Sequence, residues 1–121
     1  RYTSFLAQDT ALPMMYMPDA IRATLELMDA PADAVRERQS YNLAGISFTP
    51  ADIALAIGRQ LPGFELDCVP DFRQAIADSW PRSIDDAAAQ RDWHWQGRYD
   101  LDAMVTDMLT HLRGALELPP G

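Results

Sequence analysis

The chain has 121 residues, 48% of them hydrophobic, and a formal net charge of −8 at pH 7. That length holds one domain at most, and the apolar content excludes intrinsic disorder. The negative charge repels phosphate backbones, so nucleic acid is not an expected partner. No apolar run approaches a membrane span and no basic-then-apolar leader is present, so no membrane association is expected. Cys68 is the single cysteine, which fits a reducing, cytoplasmic setting; in its apolar run it reads as a packed thiol. The first residue is Arg1, directly in a strand-like run, so the expectation is an interior piece of a longer polypeptide.

Tyr2 to Leu6 reads as a short aromatic strand, followed by a turn at Asp9-Thr10. Leu12 to Met17 is apolar but too short for a helix, so a buried strand is expected, with Pro13 at its start or on an edge. Pro18 and Asp19 open a helix, and Ile21, Leu25 and Met28 then form an expected buried stripe. Ser40 to Ala44 resembles a short buried strand ending at Gly45. Thr49, Pro50 and Asp52 form a capping pattern for a second helix with the stripe Ile53, Ile57 and Leu61. Phe64 to Val69 alternates as a strand. Asp85 to Arg91 is expected to be helical, its two leading acids placed in the first turn, and to end near Trp93-His94-Trp95. Asp100 caps the last helix, whose apolar set runs from Leu101 to Leu112 and which Gly114 should terminate. Strands alternating with about four helices make the class α/β, with one body at 1–117 and a tail at 118–121.

Between the strand at 64–69 and the third helix lies Pro70-Asp-Phe-Arg-Gln-Ala-Ile-Ala-Asp-Ser-Trp-Pro81. A solvated loop has little use for Phe72, Ile76 and Trp80, so this stretch is either a packed loop or the lining of a pocket. It resembles the C-terminal part of short-chain-type L-threonine 3-dehydrogenases, members of the extended short-chain dehydrogenase (NAD-dependent epimerase/dehydratase) family. Further blocks extend the resemblance over about Tyr2 to Arg113: Leu12-Pro-Met-Met-Tyr-Met-Pro-Asp-Ala20, Ser40-Tyr-Asn-Leu-Ala-Gly45 with Ser47-Phe-Thr-Pro50, and Ser83-Ile-Asp-Asp86 with Trp93-His-Trp95. The likeness implies the substrate-side portion of such an enzyme. The main dinucleotide-binding motif is missing: no G-x-G-x-x-G occurs. The family's catalytic Tyr-x-x-x-Lys is missing too, since Tyr2, Tyr16, Tyr41 and Tyr99 are followed four residues on by Leu6, Ala20, Gly45 and Ala103, and every basic side chain is arginine. Nucleotide-sugar enzymes of the family commonly grip a diphosphate with an arginine where Leu12 stands here. That departure favours a small substrate without phosphates.

The resemblance implies oxidation of the β-hydroxyl of L-threonine to 2-amino-3-ketobutyrate. NAD would be held by an N-terminal Rossmann portion, with no cofactor on this chain alone, and the enzyme would be a homodimer. No catalytic, cofactor-binding or metal-ligating residue is expected within the chain, which by itself should be inactive; His94 and His111 have no partners at ligand spacing. Three residues are candidates for the substrate side. Trp80 either walls the pocket or packs the loop. Arg73 either pairs with a substrate carboxylate or with Asp71 or Asp78. Met15, with Met14 and Met17, either lines the pocket or belongs to the core. Tyr41 and Asn42 read as packing. Rival readings are the same portion of a nucleotide-sugar epimerase or dehydratase, and a non-catalytic acidic interaction module.

Overall fold

The structure, a computed structural model, describes residues 1–117; the expected tail at 118–121 lies outside the described residues. Its elements in chain order are β1 (Tyr2–Ser4), β2 (Leu12–Met14), α1 (Met17–Asp29), β3 (Ile46–Phe48), α2 (Pro50–Gln60), β4 (Leu66–Cys68), α3 (Arg73–Asp78), α4 (Ala87–Trp93) and α5 (Leu101–Glu117). The class is α/β as expected, with five helices among the described residues where about four were expected. The strands form two ribbons: β1 runs parallel to β4, and β2 antiparallel to β3 with Pro13 opposite Ser47. Pro13 lies on an edge, where its missing N–H removes no ladder bond.

Local chemistry sets most element starts. Pro18 lies in the first turn of α1, and α2 begins with the full capping box: Asp52 N–H donates to Thr49 Oγ1 at 3.1 Å while Thr49 N–H donates to Asp52 Oδ2 at 2.9 Å. Ala103 N–H donates to Asp100 Oδ1 at 2.8 Å, so Asp100 caps α5. Of the two acids before α4 only Asp85 serves its start, its Oδ1 accepting from Ala87 N–H at 3.0 Å. Asp86 is buried and sits ahead of the first turn; its carboxylate accepts from Ala44 N–H at 3.2 Å and Gln90 Nε2 at 2.7 Å, tying α4 to the run before β3. Gly114 does not stop α5, because no turn chemistry follows and glycine merely weakens a helix.

The core gathers around Trp95, Trp93, Ala23 and Ala89, with Met15, Leu27, Ala30, Tyr41 and Leu43 packed against them. Trp95 is fully buried and its Nε1–H donates to the Ala44 carbonyl at 3.2 Å. Tyr41 packs edge-on to Trp93 with ring centroids 5.9 Å apart, and its hydroxyl donates to buried Asp92 at 2.8 Å. His94, at the end of α4, takes the left-handed conformation (φ 61°), which turns the chain so that Trp93 and Trp95 both face inward.

Further expectations fail here: the strand expected over Leu12 to Met17 stops at Met14, and Met17 begins α1. The run 40–44 is not a strand: β3 starts after Gly45, and no strand lies beside 40–44 among the described residues, so its backbone has no ladder to join. Gly45 is required by close approach, since a Cβ there would come within 2.6 Å of the Met14 carbonyl oxygen. The stripe on α1 is also reversed. Ile21, Leu25 and Met28 are 55%, 56% and 75% exposed, while Asp19 and Ala23 are buried. The alanine face lets the helix lie close to Trp95, and from the adjoining flank the Arg22 guanidinium covers the same ring at 4.5 Å.

Asp19 fastens this arrangement. Its carboxylate accepts from Arg22 Nη2 at 2.8 Å, from Arg98 N–H at 2.9 Å and from Tyr99 N–H at 3.1 Å. Burial alone would push this carboxyl up, but the hydrogen bonds from Arg22 and from the Tyr99 and Arg98 amides outweigh it and hold it below the ordinary value. A depressed carboxyl stabilises the fold above its unfolded value of about 4, and that contribution is lost as the pH falls through the folded value. Asp19→Asn is therefore expected to lower stability at pH 7 by about 3 kcal/mol. It should also flatten the fall in stability below about pH 4. Urea unfolding at pH 7 and pH 3 reads both; an acid limb as steep as the wild type's would remove Asp19 as its source.

Candidate functional site

The stretch 70–81 is built on α3. Asp71 starts it, accepting from Arg73 N–H through Oδ1 at 2.9 Å and from Gln74 N–H through its carbonyl at 3.0 Å. Gln74 then clamps α3 to the turn between β1 and β2. Its Oε1 accepts from Ala7 N–H at 2.7 Å, and its Nε2 donates to Thr10 Oγ1 at 2.9 Å and Asp78 Oδ1 at 2.6 Å. Beyond α3, Arg82 Nη2 donates to the Asp9 carbonyl at 3.2 Å. These contacts enclose a polar cleft of about 170 Å³, lined chiefly by Asp9, Thr10, Gln74, Asp78, Trp80 and Arg82. Trp80 forms one wall and remains 59% exposed.

Met15 lies elsewhere. It lines a second hollow of about 240 Å³ with Pro13, Leu43, Gly45, Ser47 and Ile84, and it also touches the tryptophan core. The segment 80–84 borders both hollows: Trp80 and Arg82 face the first, Ser83 and Ile84 the second. Ser47 Oγ–H donates to the Arg82 carbonyl and pins that segment to β3.

Arg73 borders neither hollow. Its guanidinium holds Asp71 by Nε at 3.0 Å and Nη2 at 2.6 Å and lies over the Phe5 ring at 3.4 Å from the centroid. Hydrogen bonds from Arg73 hold the Asp71 carboxyl below its usual range. Arg82, by contrast, forms no ion pair among the described residues. The three candidates thus occupy three separate places. Gln74 and Arg82 were not singled out from the sequence, and Asp78 was named only as a possible partner of Arg73. The Gln74–Asp78 spacing of four is a usable helical signal; the contact to Thr10 joins residues 64 positions apart and is invisible in sequence.

A third hollow of about 450 Å³ opens between the ribbons and α2, lined by Leu12, Met14, Phe48, Ile53, Ile57 and Leu66 among others, with no charged side chain. No group of three or more His, Cys, Asp or Glu residues among the described residues could hold a metal ion. No helix among them is long and apolar enough to cross a membrane.

No protein-family profile matches the chain. It is 48% identical over 110 residues to the mitochondrial L-threonine 3-dehydrogenase of Sus scrofa, covering 90% of this chain and 29% of that protein. It is 47% identical, again over 110 residues, to an uncharacterized epimerase/dehydratase of Staphylococcus haemolyticus, covering 90% of this chain and 35% of that one. Among solved structures it superposes on the apo form of the GalE-like L-threonine dehydrogenase from Cupriavidus necator with a TM-score of 0.88 and 64% identity, over 92% of this chain and 40% of that one. Over nine-tenths of its length the chain is thus similar to L-threonine 3-dehydrogenases and to an epimerase/dehydratase. It spans about a third of the length of the L-threonine 3-dehydrogenases it matches.

The Arg73–Asp71 pair is exposed on both sides, and such pairs contribute little. Arg73→Ala is expected to cost about 1 kcal/mol or less. Urea unfolding measures it; a loss beyond about 2 kcal/mol would show that the seating of α3 depends on the pair, not only on Gln74.

Proposed function

We propose that the chain is the C-terminal, substrate-side portion of an NAD-dependent L-threonine 3-dehydrogenase. The observation that carries this is the 64% identity to the Cupriavidus necator enzyme over nearly the whole chain. In the proposed reaction the β-carbon of L-threonine gives a hydride to NAD while its hydroxyl gives a proton to a base, yielding 2-amino-3-ketobutyrate and NADH. NAD supplies the hydride acceptor. Both the dinucleotide site and the base are assigned to an N-terminal Rossmann portion, because this chain has neither the glycine-rich turn nor Tyr-x-x-x-Lys. The intact enzyme is proposed to be a homodimer of the cytoplasm, although the Sus scrofa relative is named as mitochondrial.

The chain's contribution is to cover and orient the amino acid. The cleft beside Trp80 carries one guanidinium and two carboxyl side chains within a small volume, and a zwitterion needs both signs. Trp80 walls it, and Met15 lines the neighbouring hollow. Arg73 acts through Asp71, setting the start of α3, rather than by holding the substrate carboxylate. A nucleotide-sugar substrate is the second reading, and the hollow around Leu12 speaks against it. A diphosphate needs fixed cationic donors, and none lines that hollow. A non-catalytic acidic module is the third; threonine-dependent turnover by an intact enzyme containing this sequence would remove it.

In an intact enzyme, Trp80→Ala should raise KM for threonine about tenfold with little change in melting temperature, because an exposed indole contributes little to packing. Lost stability with unchanged KM would reduce Trp80 to a packing residue.

The 121 residues alone should bind no NAD and form no NADH. Proline stands in the first turns of α1 and α2, and aspartate precedes α4 and enters the first turn of α5; none of these starts has a glycine-cleared cradle of N–H groups for a phosphate. Calorimetric titration with NAD, with and without threonine, tests this. Saturable micromolar binding would place a dinucleotide site on this chain.

A further inference from the structure

Opposite charges share the cleft beside Trp80 without pairing. In a chain with 18 acids against 10 basic residues, an arginine readily finds a carboxylate, and Arg1, Arg22, Arg59, Arg73, Arg91 and Arg98 each hold one. Arg82 holds none among the described residues, although Asp9 and Asp78 line the same hollow of about 170 Å³. Its partner is neutral instead. Nη2 donates to the Asp9 carbonyl at 3.2 Å, which aims the guanidinium and leaves its charge uncompensated. Asp78 is fixed in the same manner: its Oδ1 accepts from Gln74 Nε2 at 2.6 Å, and Gln74 is clamped to Ala7 and Thr10. Two unlike charges are thus held by neutral groups around one small space, beyond ion-pair reach of each other. That arrangement adds little to the stability of the fold, and it suits a guest that itself carries both signs.

We propose that Arg82 takes the α-carboxylate of the substrate and Asp78 its α-ammonium, so that the cleft selects 3-hydroxy acids in which both groups are free. This rests on the reading of the chain as the substrate side of a threonine dehydrogenase. The planar guanidinium of Arg82 presents paired N–H groups that match the two oxygens of a carboxylate. Asp78 has one oxygen engaged by Gln74, and the other is left for an ammonium. In an α-amino acid the two charged groups stand on one carbon, so a small cleft reaches both. Trp80, on the wall, then meets the remainder of the molecule. Arg82 and Asp78 are exposed in this chain, where water screens them; their hold strengthens once the site closes and water leaves. Both are specificity residues: they orient the amino acid and neither gives nor takes the proton or the hydride.

Two substrate analogues test the contacts separately in an intact enzyme containing this sequence. Threoninamide lacks the carboxylate, and 3-hydroxybutyrate lacks the ammonium. Each should fall about thirtyfold below threonine in kcat/KM. Arg82→Gln should lower kcat/KM for threonine by about the same factor and erase the discrimination against threoninamide, while that against 3-hydroxybutyrate stays. Asp78→Asn, which keeps an oxygen for Gln74, should do the converse. Arg82→Lys should recover part of the loss, because the charge returns without the fork. A merely structural Arg82 would weaken threonine and threoninamide alike, and that result would overturn the proposal. Binding without turnover is read at Trp80, since Trp93 and Trp95 are buried. Threonine should shield Trp80 from acrylamide quenching, measured against a Trp80→Phe enzyme, and neither analogue should do so at the same concentration. Such shielding in an enzyme that forms no NADH from threonine keeps the charge clamp and sinks the dehydrogenase reading. Threonine turnover with discrimination unchanged in Arg82→Gln and Asp78→Asn does the reverse. Neither shielding nor turnover would remove both.

Discussion

One buried carboxylate organises the body. Asp19 sits at the start of α1, almost fully out of solvent, and its oxygens are shared among the Arg22 guanidinium and two backbone amides 79 and 80 residues away. An isolated charge in that position would be costly, so the loop at Arg98–Tyr99 has to come to it. Arg22, held by Asp19 and Glu26, then lies flat over the fully buried Trp95 and donates to the Gln96 carbonyl at 2.6 Å. Thus α1, the end of α4 and the start of α5 meet at one point. Packing follows from it: only a side chain as small as Ala23 lets the helix lie against the tryptophans once the charge pair is seated.

The body built on this point is lopsided. Four strands of three residues form two separate two-stranded ribbons, and such ribbons have little stability without a covering layer. Several of the largest apolar side chains, Met17 and Met28 on α1 and Phe72 at the head of α3, lie outside the core. The polar cleft at Trp80 opens on an uncovered rim of the same kind, where Phe72 and Ile76 are also exposed. A site on an open rim gains its water exclusion from what closes over it. That is consistent with the proposed reading of the chain as the substrate side of a larger enzyme.

The candidate site was partly legible. Pro70 and Pro81 bracket the stretch, and its resemblance to threonine dehydrogenases singled out Trp80, which does border the cleft. The six-residue α3 was not foreseen, because it is too short for a periodic pattern to stand out and its start depends on Asp71 accepting two amides. Of the partners the sequence offered Arg73, a substrate carboxylate, Asp71 or Asp78, the structure shows Asp71, two residues before it. Gln74, which holds the site together, carries no sequence signal beyond its spacing to Asp78, since its other partners, Ala7 and Thr10, lie far off in the turn between β1 and β2.

The sequence by itself determined the local grammar: the α/β alternation, the proline-led starts of α1 and α2, the Thr49–Asp52 box and the Asp100 cap. These depend on groups within a few residues of one another, and their chemistry is the same in any context. It also determined what chemistry the chain lacks, since a missing lysine or glycine-rich turn is a fact of composition. Only the tertiary structure decided which face of α1 turns inward, that no strand lies beside 40–44 among the described residues, and that Asp86 serves the half-buried Ala44 amide rather than a helix start. Periodicity marks an apolar stripe but not its partner. When a helix has two such stripes, the choice falls to the one whose small residues and buried charge can be satisfied by the chain at hand, and here that was Ala23 and Asp19.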